Sequence, residues 1–239
     1  MSRLLIKNKD IAVPGEIMAE GMDYLPGPGT YRDEDKIRAG CVGLVTIDGR
    51  AIKLIPLAGR YMPKRGDTII GRVKEILISG WLLDIDSAYP AMLSMKDGSS
   101  EYIARGSDLT QYYTFGDYLV CKIINVTTQK LVDVTMKGPG LRKLYGGRII
   151  KINTHKVPRV IGKKGSMVSM VKQATGSKII VGQNGVTWIQ NDDPKMELLT
   201  VDTIYKIAAE AHISGLTDRI KEFLEKKTGK KIQSAGSGE

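Results

Sequence analysis

Histidine and cysteine are nearly missing from this chain, at two each in 239 residues. Cys41 and Cys121 lie far apart without a C-x-x-C spacing, and His155 and His212 are near neither. A zinc centre draws three or four such ligands together, so no metal site is expected, and nothing suggests a cofactor. Cys121 stands within an alternating apolar pattern and reads as a core thiol, while His155 reads as a solvated loop histidine. Phenylalanine and tryptophan also number two each, so base stacking can supply only a small part of any nucleic-acid contact. There is no run of about 18 or more apolar residues and no basic-apolar-small leader. A soluble, unsecreted, cytoplasmic protein without a membrane partner is the expectation. No nucleophile-base arrangement stands out either, so no catalytic residue is assigned.

Positive charge and glycine are in surplus. Lys and Arg total 36 against 26 Asp and Glu, a formal charge of +10, which favours a polyanion as partner, nucleic acid before an anionic membrane. The 27 glycines exceed the usual ~7%. They create three G-x-x-G matches, Gly40 to Gly43, Gly162 to Gly165 and Gly182 to Gly185, roughly the number chance supplies. Only the middle one encloses lysines and runs into a helical pattern. There, glycines at 162 and 165 leave no Cβ to hold off a polyanion, Lys163 and Lys164 add charge, and a helix begins with its free N–H groups aimed at the same spot. Arg159 lies one turn earlier. This is the anatomy of a GXXG loop that grips single-stranded RNA by its backbone. Asn184-Gly185, by contrast, marks the third match as a hairpin turn without an RNA role.

Taken in order, residues 1–62 are rich in turns, with Pro14-Gly15, Pro26-Gly27-Pro28-Gly29 and an Asp48-Gly49 hairpin signal between apolar runs. They predict a small β domain; Asp33-Glu34-Asp35 reads as a solvated loop. Residues 63–138 hold five strand patterns: one through Ile70, Val73 and Ile76, then Trp81 to Asp86, Tyr89 to Met95, the alternation at Leu119, Cys121 and Ile123, and a last one at Val132, Val134 and Met136. A long polar connection, Lys96 to Asp108, precedes the fourth. That is an OB barrel. After Gly138-Pro139-Gly140, residues 141–227 run strand, short helix at Pro158, GXXG, helix with Met167, Met170, Val171 and Ala174 on one face, two strands, and two more helices. This is the order of a type I KH domain. Residues 228–239 read as a flexible tail. The fold class is thus multidomain, mainly β with α+β: a small N-terminal β domain, an S1-type OB barrel and a type I KH domain.

The domain order and several segments resemble the archaeal ribosomal RNA-processing protein 4 family of exosome cap subunits. The segments are Val13-Pro14-Gly15-Glu16, Gly27-Pro28-Gly29-Thr30-Tyr31, Ile55 to Pro63 running into Gly66-Asp67, Trp81-Leu82-Leu83-Asp84-Ile85 and Gly182-Gln183-Asn184-Gly185. The resemblance covers nearly the whole chain. It implies a non-catalytic, RNA-binding subunit seated by its N-terminal domain on a hexameric ring of RNase PH-like proteins, three copies per ring, with or without a second kind of cap subunit. Such a cap recruits RNA and threads its 3′ end inward for phosphorolytic degradation or tailing. One departure matters. Many S1 domains carry a stacking platform of two phenylalanines and a histidine, and those places hold Ser79, Leu82 and Ser94 here. Trp81 beside them fits a stacking surface or a core equally. Backbone contacts from Lys96, Arg105 and Lys122 are therefore expected to carry the S1 contribution.

Two rival readings are an S1/KH factor of transcription or translation and a nuclease related to polynucleotide phosphorylase. The N-terminal segments argue against the first. The second has KH before S1, behind catalytic domains that have no counterpart here, and would need scattered acids such as Asp84, Asp86, Asp192 and Asp193 to bind metal.

Overall fold

The computed structural model describes residues 2–57, 59–104, 106–213 and 215–229. The chain divides into two compact units, Met1–Gly59 and Arg60–Glu239. Apart from Thr228 and Gly229, the expected tail lies outside the described residues.

The first unit is built of short strands: β1 (Arg3–Leu4), β2 (Ile11–Ala12), β3 (Ile17–Glu20), β4 (Leu25–Pro26), β5 (Thr30–Asp33), β6 (Lys36–Ala39), β7 (Gly43–Asp48) and β8 (Ala51–Pro56). They form two sheets, ordered β1-β3-β6-β5 and β2-β7-β8-β4. The expected hairpin joins β7 and β8, but its two loop residues are Gly49, at φ +59°, and Arg50; Asp48 is still paired, opposite Ala51. Alternate residues of both sheets, among them Met18, Ile37, Val45, Ile52 and Leu54, meet in one core. Asp33-Glu34-Asp35 turns from β5 into β6, and Asp33 accepts from Arg38 at 2.7 Å.

The second unit begins with β9 (Thr68–Leu77), β10 (Gly80–Asp84), β11 (Ala91–Ser94), the short helix α1 (Met95–Gly98), β12 (Tyr118–Val126) and β13 (Val132–Thr135). The order β13-β11-β10-β9-β12 is closed by pairing of β12 with β13, and β11 runs parallel to β13. This is a five-stranded OB-type barrel. Inward residues at period two, such as Ile69, Val73, Leu83, Leu119, Cys121 and Ile123, fill it. Trp81 belongs to that core. It is fully buried, its indole N–H donates to the Tyr113 carbonyl at 3.1 Å, and the rings of Tyr112 and Tyr113 meet it edge-on.

After Gly138-Pro139-Gly140 comes β14 (Arg142–Leu144), which pairs antiparallel with β12 as a further strand of the barrel's sheet. The KH-type fold follows: β15 (Arg148–Lys151), α2 (Val157–Ile161), α3 (Ser166–Thr175), β16 (Lys178–Val181), β17 (Val186–Gln190), α4 (Pro194–Ala209) and α5 (Leu216–Thr228). The sheet order is β15-β17-β16, all antiparallel. The methionine-rich stripe of α3 packs with Val160, Ile204, Ile207, Ile220 and Leu224 over that sheet, as a core face should.

Barrel and KH fold share a seam. Ile70, Val120 and Leu144 point outward from β9, β12 and β14, yet are buried against Val186 and Trp188 of β17. At its centre the Gly182–Gly185 turn inserts Asn184, whose side chain is wholly buried. The β9–β10 ladder stops at Arg72 and Asp84. Beyond that point the Asn184 amide accepts from the Ile70 N–H at 3.3 Å and donates to the carbonyls of Ile70 and Ile85 at 2.8 and 2.9 Å. It supplies the rung that β10 no longer provides. Side chains are excluded on either side of it, since a Cβ at Gly182 would stand 2.9 Å from the Ile70 nitrogen and one at Gly185 2.2 Å from the Ile152 oxygen.

Replacing Asn184 by alanine strips three buried main-chain groups of their partner. A loss of at least about 3 kcal/mol in urea unfolding of the full chain is expected, about 1 kcal/mol or more for each group left unpaired. Wild-type stability of Asn184→Ala would show that the amide does not hold the seam.

Candidate nucleic-acid interface

The first candidate surface is the turn between α2 and α3. Pro158 stands in the first turn of α2, where its missing N–H costs nothing, and the helix stops at Gly162 with φ +76°. A Cβ there would stand 2.6 Å from the Met167 nitrogen, so only glycine lets the chain fold back onto α3. Lys164 itself adopts a left-handed conformation (φ +53°), as does Gly165 at +82°. The turn thereby presents Lys163 and Lys164 to solvent beside Arg159, also exposed, and α3 starts from Gly165 with no side-chain cap on its N–H groups. A concavity of about 580 Å³ opens next to it, lined by Arg159, Gly162, Lys163 and Ser166 on one side and by Ile213, Thr217 and Asp218 on the other. Arg159 and Lys163 line this concavity at the start of α3, with Lys164 exposed on the same turn, an arrangement suited to a phosphodiester backbone.

The second surface is on the barrel. An open groove of about 890 Å³ runs between the β9–β10 turn, α1 and the segment after it. Ser79 and Ser94 line it, together with Lys96, Lys137, Ile78 and Tyr102. The Ser94 hydroxyl is engaged locally as the cap of α1, accepting from the Asp97 N–H at 3.3 Å and donating to the Asp97 carboxylate at 2.8 Å. The connection expected to be polar loop thus opens with a helical turn. Of the three barrel cations read from the sequence, Lys96 lines the groove. Lys122 is exposed on β12, outside the lining, and Arg105 lies outside the described residues. Sequence reasoning missed Ile78, Tyr102 and Lys137. The available signal was an isoleucine at a hairpin tip and a tyrosine in a polar segment, two places where neither side chain has a core to join.

His155 departs from its expected role. It follows β15 in a short helical turn, and its Nε2 is shielded from solvent with no hydrogen-bond partner among the described residues. Burial, then the charges of Lys64 and Lys156, push its pKa below the ordinary imidazole value, so the ring is neutral at pH 7. The histidine expected to be solvated is thus half-buried, with Nε2 covered.

The acids Asp84, Asp86, Asp192 and Asp193 do not converge: Asp84 accepts from the Asp86 N–H, Asp86 pairs with Lys151, and Asp193 caps α4 by accepting from the Lys195 N–H. Among the described residues no three potential metal ligands cluster, and no helix is long and apolar enough to cross a membrane. Burial in the barrel pushes the Cys121 thiol up to about 12, which removes the thiolate a nucleophile would need.

Comparison with known proteins agrees with these domains. A family model for the N-terminal region of the exosome complex exonuclease RRP4 matches residues 11–48, one for the RRP4 S1 domain matches residues 60–104, and one for the KH domain matches residues 147–197. The exosome complex component Rrp4 of Methanothermus fervidus is 46% identical over 222 residues, which is 92% of this chain and 97% of the relative. That of Pyrococcus furiosus is 41% identical over 227 residues, 94% of this chain and 86% of the relative. A crystal structure of an exosome complex RNA-binding protein superposes with a TM-score of 0.64 at 34% identity, covering 71% of this chain and 97% of that one.

Thiol titration checks the barrel core. At pH 8 a group with a pKa near 12 is thiolate in about one molecule in ten thousand. The native chain is expected to give at most one equivalent, from Cys41, and two after denaturation. Two equivalents before unfolding would contradict the burial of Cys121.

Proposed function

The chain belongs to the Rrp4 family of exosome components, and we propose that it serves as a non-catalytic RNA-binding cap on a phosphorolytic exoribonuclease ring. In this reading it recruits single-stranded RNA and threads the 3′ end into a hexamer of RNase PH-like subunits for 3′-to-5′ degradation or tailing. Three copies sit on the ring, alone or mixed with another cap subunit, in the cytoplasm. Residues 1–62 dock on the ring, and 63–138 and 141–227 hold RNA. Exposed apolar side chains in the first unit, including Ile11, Val13, Leu25 and Ile55, are of the kind a stable protein contact covers.

The observation that carries the reading is the turn at Gly162 to Gly165, whose glycine-dependent fold puts Lys163 and Lys164 beside Arg159 at the start of α3. Two cationic concavities on one compact unit then give the RNA two grips. Lys96 in the groove holds its backbone on the barrel, with Arg105 and Lys122 as further contacts outside the described groove lining, while the KH turn holds it further along. Both act mainly on phosphates, which gives affinity without sequence choice and makes it salt-dependent. The chemistry itself belongs to the ring.

Co-purification tests the assembly. The full chain is expected to co-elute with a ring of RNase PH-like subunits, and to release no nucleoside diphosphate from RNA with phosphate and Mg²⁺ when alone. Phosphorolysis by the isolated chain, or failure to bind the ring, would overturn the proposal. For the KH turn, Lys163→Asp with Lys164→Asp is expected to weaken binding of unstructured RNA about tenfold or more at low salt. The slope of log K against log salt should flatten by about 1.4, at ~0.7 per phosphate contact on a single strand. Unchanged affinity and slope would remove this turn from the RNA path. Lys96→Glu with Arg105→Glu should impair RNA capture by the assembled ring.

A further inference from the structure

The proposed function uses the barrel groove only for its cations, yet its most unusual feature is apolar. Ile78 and Tyr102, at 96% and 88% exposure, are the most exposed large hydrophobic side chains among the described residues, and both line this one groove. They come from separate segments. Ile78 is in the β9–β10 turn, while Tyr102 lies beyond α1 and forms no hydrogen bond or ring contact with any described residue. Between them the lining is small or aliphatic: Ser79, Ser94 and Met95. Ser94 spends its hydroxyl on the α1 cap and asks nothing of a ligand.

The charges indicate the occupant. Lys96 and Lys137 are exposed on the groove lining, and neither forms an ion pair with a described residue. Glu101 is the one acid that shares the lining. An unattached aromatic ring, an aliphatic wall and two unpaired ammonium groups around one open groove complement a planar apolar group carried on an anionic chain. That is the chemistry of a nucleotide in single-stranded RNA. Resting on the RNA-binding reading above, we propose that Tyr102 stacks an unpaired RNA base in this groove, with Ile78 as the facing apolar wall and Lys96 and Lys137 on the flanking phosphates. The serines at 79 and 94 leave the strand surface without a ring, and the loop returns one from the side. Because every base has a π-face, such a contact is tolerant of sequence and fixes position along the strand.

The test uses the full chain with a single-stranded RNA containing one 2-aminopurine, and the same RNA with abasic sites. Tyr102→Ala is expected to weaken binding of intact RNA about ten- to a hundredfold and to relieve 2-aminopurine quenching. Tyr102→Phe should retain affinity and quenching, since the ring and not the hydroxyl makes the contact. The slope of log K against log salt should stay unchanged in Tyr102→Ala and flatten in Lys96→Ala with Lys137→Ala, separating stacking from charge. Abasic RNA should bind the wild type about as weakly as intact RNA binds Tyr102→Ala. At 88% exposure the side chain supports no core, and circular dichroism confirms the fold of each variant. If Tyr102→Ala binds and quenches like wild type while Lys163→Asp with Lys164→Asp loses affinity, the groove proposal falls and the RNA-binding reading stands. If wild type binds no RNA, both fall. Equal losses in Tyr102→Ala and Tyr102→Phe would overturn stacking in favour of the hydroxyl. Loss of ring association with RNA affinity intact would make the groove a protein contact and overturn the proposal.

Discussion

A single buried amide completes the barrel. Strand β9 runs past the end of β10, and at Ile70 its main-chain N–H and C=O, together with the Ile85 carbonyl, face a place where no strand follows. Leaving such groups buried and unpaired costs about 1–3 kcal/mol each. Asn184 meets all three with one side chain, and Gln183 adds a main-chain bond to the Thr68 carbonyl at 2.9 Å. The barrel therefore depends on a turn of the KH fold for its last rung. That turn in turn depends on the barrel to pair a polar side chain it has buried. Lys151 with Asp86 and the apolar contact of Ile70, Val120, Leu144, Val186 and Trp188 extend the same seam.

This constraint distributes the possible RNA contacts. The Gly182–Gly185 turn is consumed by the seam, so it is closed to ligand, and the outward faces of β9 and β12 near Ile70 and Val120 are covered. What stays open is the Gly162–Gly165 turn at one end of α3 and the groove beside α1. A backbone grip and a base-holding groove on one compact unit suit a protein that must hold a strand without reading it. On the two proposals above, affinity would come from phosphates and a stacking ring, both indifferent to sequence.

Much of the architecture was legible because it rests on local rules. Period-two patterns located the barrel strands, and the apolar stripe at Met167, Met170, Val171 and Ala174 located α3. The hairpins at Gly49 and at Asn184-Gly185, the Pro158 start and the Gly162 stop are each consequences of one or two residues' backbone preferences. Trp81 could not be assigned, since a tryptophan on a strand beside a lost stacking platform satisfies either face until the register is known. The half-burial of His155 was hidden for a related reason: a polar neighbourhood in sequence says nothing about what packs against it. Ile70 and Val120 broke the alternation, and in hindsight apolar residues on both faces of a strand mark a covered outer surface.

By itself the sequence determined the domain order, the strand and helix patterns, and a glycine-bracketed pair of lysines at the head of a helix. Those features follow from contacts within a few residues, and a chain carries them wherever it goes. Only the tertiary structure decided that Asn184 is a rung of the barrel, that Trp81 is core, and that Ile78 and Tyr102 share one groove with Lys96 and Lys137. Asn184 and Ile70 are 114 positions apart. No local preference encodes such a meeting, because it exists only where the outer face of the barrel and a turn of the KH fold come into contact.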